Sequence, residues 1–195
     1  GATDSASIAT TITGVNDDVS ISSIDAAGTI LDNAFSDQLP NSYGYSLELH
    51  DIDKNDLITL SKSGGDSFGE LQLPSLEAGE RSASFSYSVD ESKSNLSSNA
   101  VESYVINAQD GNGSSDSGDF NLSIVAAGVD NKLTVDSYQS GNIDDVSFAN
   151  LSAINLQGGN DTAVITANGQ IDSIDGGDGS NTLNILAPLA NVDIK

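Results

Sequence analysis

The chain has 195 residues, with 29 acidic against six basic side chains, a net charge of -23 and no cysteine. That balance excludes nucleic acid and anionic membrane surfaces as partners, because phosphate recognition needs clustered Lys and Arg. It also excludes disulfides and thiolate metal sites, while 37% hydrophobic residues leave enough apolar material for β-cores.

In chain order, residues 1–14 set Ile8, Thr10 and Ile12 on one face, which predicts a half-buried strand. An Asp/Asn joint follows at Gly14-Val15-Asn16-Asp17-Asp18. From Val19 to Gly128 the pattern is short alternating runs broken by turn residues. Tyr45, Leu47 and Leu49 share one face, Ile58 and Leu60 another, and Leu71 and Leu73 precede Pro74. Phe85, Tyr87 and Val89 alternate with Ser84, Ser86 and Ser88, and Phe120, Leu122 and Ile124 close the unit. With no helical period among them, these runs predict an all-β sandwich of about seven strands. The serine-rich stretch Asp90 to Asn99 reads as an exposed loop, with a short helix as the alternative.

From Asn131 the texture changes. Ile154 recurs as Ile174, Gly159 as Gly179, Asp161-Thr162 as Asn181-Thr182, and Ile165 as Ile185, each offset by 20 residues, and Ile194 continues the first series. A 20-residue repeat of apolar residues flanking Gly-Asp/Asn turns suits a short β-helix-like solenoid. Two visible coils are few for such a stack. The segment is therefore expected to lean on the sandwich, on residues 132–150 as a cap, or on a neighbouring subunit.

A longer repeat spans the sandwich. Gly1 to Thr13 aligns without a gap on Gly113 to Val125, and after the insertion Ala126-Ala127, Gly14-Val15-Asn16-Asp17 aligns on Gly128-Val129-Asp130-Asn131. A tandem array has this look when one whole unit is taken with the tail of its predecessor. The expected domains are 1–16, a terminal strand and joint of a preceding repeat or a donor strand; 17–131, the sandwich; and 132–195, the Gly/Asp-rich segment.

Carboxylates at turns and joints are the candidate metal ligands. Asp51, Asp53 and Asp56 sit two and three residues apart in one turn; Asp110 and Asn112, with Asp116 and Asp119, form a second cluster beside Gly111 and Gly113. Asp17 and Asp18 lie at the joint, with Asp130 in the equivalent place one unit later. Oxygen donors alternating on a bent backbone converge on a hard cation such as Ca²⁺; the competing reading is solvated acidic turns. Gly176 to Asn184 fits the Gly-Gly-x-Gly-x-Asp calcium nonapeptide with Asn181 in place of Asp, which adds Asp161 and Asp178 as candidates. Left-handed turns that need Gly and Asn explain the same residues. Catalysis has little support: His50 is the single histidine, at the end of an alternating run, and neither a nucleophile elbow nor a phosphate-cradling Gly-Lys-Ser loop is present. The chain is expected not to be an enzyme.

Residues 17–131 resemble the cadherin-like or immunoglobulin-like tandem repeats of giant bacterial surface adhesins of the RTX type, exported by type I secretion. The carrying stretches are Leu47 to Asp53, Phe85 to Tyr87, Tyr104 to Gly113, and Gly128-Val129-Asp130-Asn131; the family usually follows the joint with Ala-Pro, where this chain has Asp18-Val19. Residues 150–185 resemble the glycine/aspartate segments of the same proteins. The resemblance implies an extracellular extender at the bacterial cell surface, stiffened by Ca²⁺ at its joints. Asp17, Asp18, Asp51, Asp53, Asp110, Asn112 and Asp130 are then ligands, and neighbouring repeats, surface glycans or surface proteins are the partners. Two other functions compete with it. A self-assembling filament or surface-layer subunit would donate residues 1–14 to an identical subunit. A calcium-dependent carbohydrate-binding module is weakened by five Tyr, five Phe and no Trp.

Overall fold

The computed structural model describes all residues except 2, 5, 12, 13, 27, 187–192 and 195, and the backbone alone of Asp193 and Ile194. The chain is all-β. Eight strands build the sandwich: β1 (Ser20–Ile24), β2 (Thr29–Leu31), β3 (Ser42–His50), β4 (Thr59–Gly64), β5 (Gly69–Gln72), β6 (Ser82–Val89), β7 (Ala100–Gln109) and β8 (Ser115–Val125). One sheet has the order β1-β3-β6-β5 and is antiparallel throughout; the other has the order β2-β8-β7-β4, with β2 parallel to β8. Eight strands rather than about seven arise because β2 is three residues long and pairs only with the end of β8, from Thr29–Ser123 to Leu31–Val125.

The period of two in β6 does what it predicts. Ala83, Phe85 and Tyr87 are buried while the serines between them face outward. Phe120 from the opposite sheet meets Tyr45 edge-on at 4.8 Å and Phe85 at 5.2 Å between ring centroids, so three aromatics from three strands lock the two sheets together. Leu47, Ile106 and Leu122 fill the rest of that core. The serine-rich loop contains one short 3-10 turn, Glu91–Lys93, capped by Asp90.

Residues 1–14 depart from expectation. Their described members form no strand and are exposed, with Ile8 87% exposed; Ile12 lies outside the described residues. β1 to β8 pair among themselves, and neither sheet pairs with a described residue of the tail.

After Asn131, β9 (Lys132–Ser137), β13 (Thr162–Ile165) and β15 (Thr182–Ile185) form one parallel ladder, and β12 (Ala153–Asn155), β14 (Ser173–Asp175) and β16 (Asp193–Ile194) form another. The step is 20 residues in β13–β15 and in β12–β14–β16, as in Ile165–Ile185 and Ile154–Ile174. Between β9 and β13 it is 30, as in Leu133–Ala163. The additional length is the hairpin of β10 (Ser140–Ile143) and β11 (Val146–Ala149), which widens the first ladder through antiparallel pairing with β9. Residues 132–150 thus supply a rung of the first ladder and the hairpin beside it.

This segment does lean on the sandwich. Leu31, Phe35 and Leu39 belong to the same buried cluster as Leu133, Val135, Ile154 and Ile165. Gln38 Oε1 accepts the Ser152 N–H at 2.7 Å, and Gln157 Nε2 donates to the Ala34 carbonyl at 3.1 Å.

Stacked turns follow the same period. Gln157 and Gly177 are both left-handed, at φ 64° and 65°, and so are Gly159 and Gly179. Asn155 and Asp175 each accept the N–H two residues on, closing equivalent turns. A Cβ at Gly179 would overlap the Gly159 carbonyl oxygen, so only glycine lets one turn sit on the other.

Candidate metal centre

Two loops meet at the end of the sandwich where the chain enters β1. One joins β3 to β4 and carries Asp51, Asp53 and Asp56; the other joins β7 to β8 and carries Asp110 and Asn112. Arg81 shapes the first loop through backbone rather than charge alone. Its guanidinium donates to the carbonyls of Asp53 (2.6 Å), Asp56 (3.3 Å) and Asp51 (3.5 Å). Asp110 shapes the second: its Oδ1 accepts the N–H groups of Asn112, Gly113 and Ser114 at 2.9, 2.7 and 2.8 Å.

So held, Asp51, Asp56 and Asp110 each present a carboxylate oxygen within 4.8 Å of the other two. That separation is what one Ca²⁺ spans, with Ca–O distances of about 2.4 Å. Asp51 Oδ2 is fully buried and receives no hydrogen bond among the described residues; Arg81 Nη2 stands 3.6 Å away, an ion pair too long to be a hydrogen bond. Three carboxylates against one guanidinium leave a formal excess of two negative charges, which a divalent cation matches. The donors are all hard oxygens, suited to Ca²⁺ and unsuited to softer metals.

The linker is tied into this group. Asn16 Nδ2 donates to Asp110 Oδ2 at 2.9 Å, and Asn16 Oδ1 accepts from Asn112 Nδ2 at 2.8 Å. Asn112 Nδ2 also reaches Asp56 Oδ2 at 2.6 Å, while the Asp17 N–H donates to Asp53 Oδ2 at 2.7 Å. The Asn16 amide, followed by N–H donors from 112 to 114, holds the Asp110 carboxyl below the usual carboxylate range, against the opposing effect of burial.

Of the predicted ligands, Asp51, Asp56 and Asp110 converge, with Asp53, Asn112 and the Asp17 backbone around them. The others lie elsewhere. Asp18 is exposed and, among the described residues, takes part in none of the side-chain hydrogen bonds around the group. Asp116 spends its carboxylate on the N–H groups of Ile21 and Ser117, fastening β1 to the start of β8. Asp130 and Asp161 lie past the far end of β8, where Asp130 accepts the Asn160 N–H at 2.7 Å. Asp178 is exposed, and its backbone joins the stacked turns through Gln157 and Gly159. Asn181, standing where the nonapeptide has Asp, donates to the carbonyls of Gly176 and Gly177. Residue-type reasoning missed Asn16 as a bridging side chain and Arg81 as the organiser of the loop. The Asn16 signal was present in the joint motif, whereas Arg81 acts on carbonyls and leaves no pattern.

No protein-family model matches the chain, and the comparison with curated proteins finds no relative. Among solved structures, the chain is similar to the ASH / PapD-like domain of human CEP192 (PapD-like domain 7), at 12% identity and a TM-score of 0.35, over 65% of this chain and 97% of that domain.

Proposed function

We propose that this chain is a non-catalytic extender or display segment of a calcium-dependent bacterial surface adhesin, working outside the cell. The observation that carries this reading is the convergence of Asp51, Asp56 and Asp110 on the end of the sandwich where Asn16 and Asp17 enter. An ion held there by two loops, with the linker bound to the same residues, turns a flexible entry into a stiff one. The linker enters at the start of β8 and the following segment leaves at its end. Eleven residues of strand separate the two joints by roughly 35 Å, an arrangement suited to building length. The eight-strand sandwich is read as cadherin-like, and the two parallel ladders with their 20-residue step as a short β-helix.

The test is thermal unfolding and small-angle scattering with Ca²⁺ and with EDTA. An ion at 100-fold above its Kd stabilises the native state by roughly 2.7 kcal/mol. A higher melting temperature and a longer maximum dimension in Ca²⁺ are expected. Identical curves in EDTA would refute the reading.

One observation favours a second reading. Ile8 is 87% exposed in a tail whose sequence matches β8. A subunit that donates residues 1–14 to an identical neighbour would bury such residues, and sedimentation separates the two: an extender stays monomeric at micromolar concentration, a donor-strand subunit polymerises.

A further inference from the structure

Asn131, Asp161 and Asn181 form a column through the parallel ladders, and each rung's side chain serves the rung before it. Asp161 Oδ1 accepts the Asn131 N–H at 2.8 Å, and Asn181 Oδ1 accepts the Asp161 N–H at 2.9 Å. The two asparagines also use their amide nitrogens. Asn131 Nδ2 donates to the Ala126 carbonyl at 3.1 Å, and Asn181 Nδ2 to the Gly176 carbonyl at 2.9 Å, in both cases five residues back. Asp161 has no amide hydrogen to give. Where its neighbours in the column carry a donor, it carries a second carboxylate oxygen.

That oxygen is the unexplained group. Asp161 is 1% exposed and Asn131 3%, yet Asp161 Oδ2 and Asn131 Oδ1 receive no hydrogen bond among the described residues. A buried carboxylate oxygen without a partner is costly. The surroundings add to the cost. Asp144 accepts the Asn131 amide at 2.9 Å and the Lys132 N–H at 2.8 Å from the β10–β11 turn. That turn is made by Asp144 and Asp145, both left-handed at φ 47° and 67°. Burial first, and then the charges of Asp130 and Asp144, push the Asp161 carboxyl upward against the Asn131 N–H that lowers it. Asp130, Asp144 and Asp161 enter no ion pair among the described residues.

We propose that Asp161, Asn131 and Asp144 form a second Ca²⁺ site, which fastens the sandwich to the first rung of the parallel ladders. The donor set is two carboxylates and one amide oxygen, all hard, with the remaining coordination left to water and backbone carbonyls. It lies beyond the opposite end of β8 from the Asp51 group and differs from the Gly176–Asn184 turn, where the Asn181 amide already occupies the carbonyls. An ion here fixes the seam at Asn131, the residue at which the chain leaves the sandwich, so each end of the unit has its own clamp.

Asp161→Asn is the informative variant. It keeps the acceptor for the Asn131 N–H and restores the amide donor that Asn131 and Asn181 possess, so it should fold without an ion. Native mass spectrometry in Ca²⁺ on the full chain should count one ion fewer for Asp161→Asn than for wild type. Asp51→Asn with Asp110→Asn should lose a different ion and keep this one. Hydrogen exchange supplies a readout that needs no variant: Ca²⁺ should slow the amides of Asn131 and Thr162 in wild type, and this protection should vanish in Asp161→Asn. An equal ion count in Asp161→Asn, or amides at 131 and 162 that ignore Ca²⁺ in wild type, would overturn the proposal. Should Asp161→Asn not fold, Asp144→Asn in the hairpin turn takes its place with the same expected loss. Failure at the Asp51 group with binding retained here would sink the extender reading and leave this site standing.

Discussion

Asn16 and Asp110 lie 94 residues apart in the chain and 2.9 Å apart in space, with the amide of the entering linker donating to the carboxylate of the β7–β8 loop. That bond couples the direction of the linker to the acidic group at the sandwich end. Its other partner, Asn112, extends the coupling to Asp56.

Asn16→Ala should therefore uncouple shape from fold. The sandwich core does not involve Asn16, so the melting temperature in EDTA should match wild type. In Ca²⁺, small-angle scattering should lose the compact-to-extended response while binding at Asp51, Asp56 and Asp110 persists. Asp17→Ala with Asp18→Ala should act more weakly, since Asp17 contributes its backbone N–H and not its carboxylate. A full scattering response in Asn16→Ala would show that the linker does not report on the ion.

Glu102 is a structural carboxylate. It is 2% exposed, with Oε1 accepting the N–H groups of Ser67 and Phe68, both at 2.8 Å, and Oε2 lying 2.9 Å from the Tyr104 hydroxyl. Glu102→Ala would leave the Ser67 and Phe68 N–H donors unpaired beneath the β4–β5 connection, while the Tyr104 hydroxyl keeps Asp66 as a partner, costing roughly 3 kcal/mol. Glu102→Gln keeps the Oε1 acceptor and should cost about 1 kcal/mol. Urea unfolding in EDTA distinguishes them, and equal midpoints for the two variants would mean that the loop finds other partners.

Legibility in the sequence tracked how local the cause was. The alternation of Phe85 and Tyr87 with serines is a property of one strand, and its buried face is where the pattern puts it. The carboxylates at 51, 56 and 110 were legible as residue types in turns; their convergence depends on Arg81 gripping three carbonyls, a contact between distant segments. Strand β2 escaped notice because three residues carry no period, and its pairing is set by β8. The ladders were legible from β12 and β13 onward, where the step is 20, and hidden before that by the hairpin that lengthens the first step to 30. The tail shows the opposite error. Its alternation is real, and among the described residues it pairs with no strand.

The tyrosines predict an alkaline limit. Burial raises Tyr43 to about 12, with the charge of Tyr45 as a smaller cause, and burial is also the largest cause raising Tyr45, Tyr87 and Tyr104. An ordinary phenol titrates near ~10. A folded value above the unfolded one contributes stability that is fully present below pH ~10 and is lost as pH rises through the folded value. Absorbance at 295 nm in the native chain should show these four groups ionising late, together with loss of the sandwich, whereas in urea they should titrate near ~10. Ionisation near ~10 with the fold intact would contradict the packing of Tyr87 and Tyr104 against each other, at 6.5 Å between centroids.

Removal of residues 1–14 tests what the tail is for. The first strand of the sandwich begins at Ser20, and β1 is anchored at its start by Val19 N–H to Ser114 Oγ at 3.0 Å and Ile21 N–H to Asp116 at 2.8 Å. None of those contacts uses residues 1–14, while the Asn16 and Asp17 bonds to the acidic group survive the deletion. The shortened chain should fold with an unchanged melting temperature in both Ca²⁺ and EDTA. Its effect should appear in assembly instead. Burying a side chain such as Ile8 is worth roughly 1.5–3 kcal/mol, and residues 1–14 carry the same alternation that β8 buries at Phe120, Leu122 and Ile124. If full-length chains polymerise at micromolar concentration and the deleted chain stays monomeric, the tail is a donated strand. If both remain monomeric, it is the end of a preceding repeat and the extender reading stands. A deletion that lowers the melting temperature by many degrees would place the tail within this domain's own core, against both.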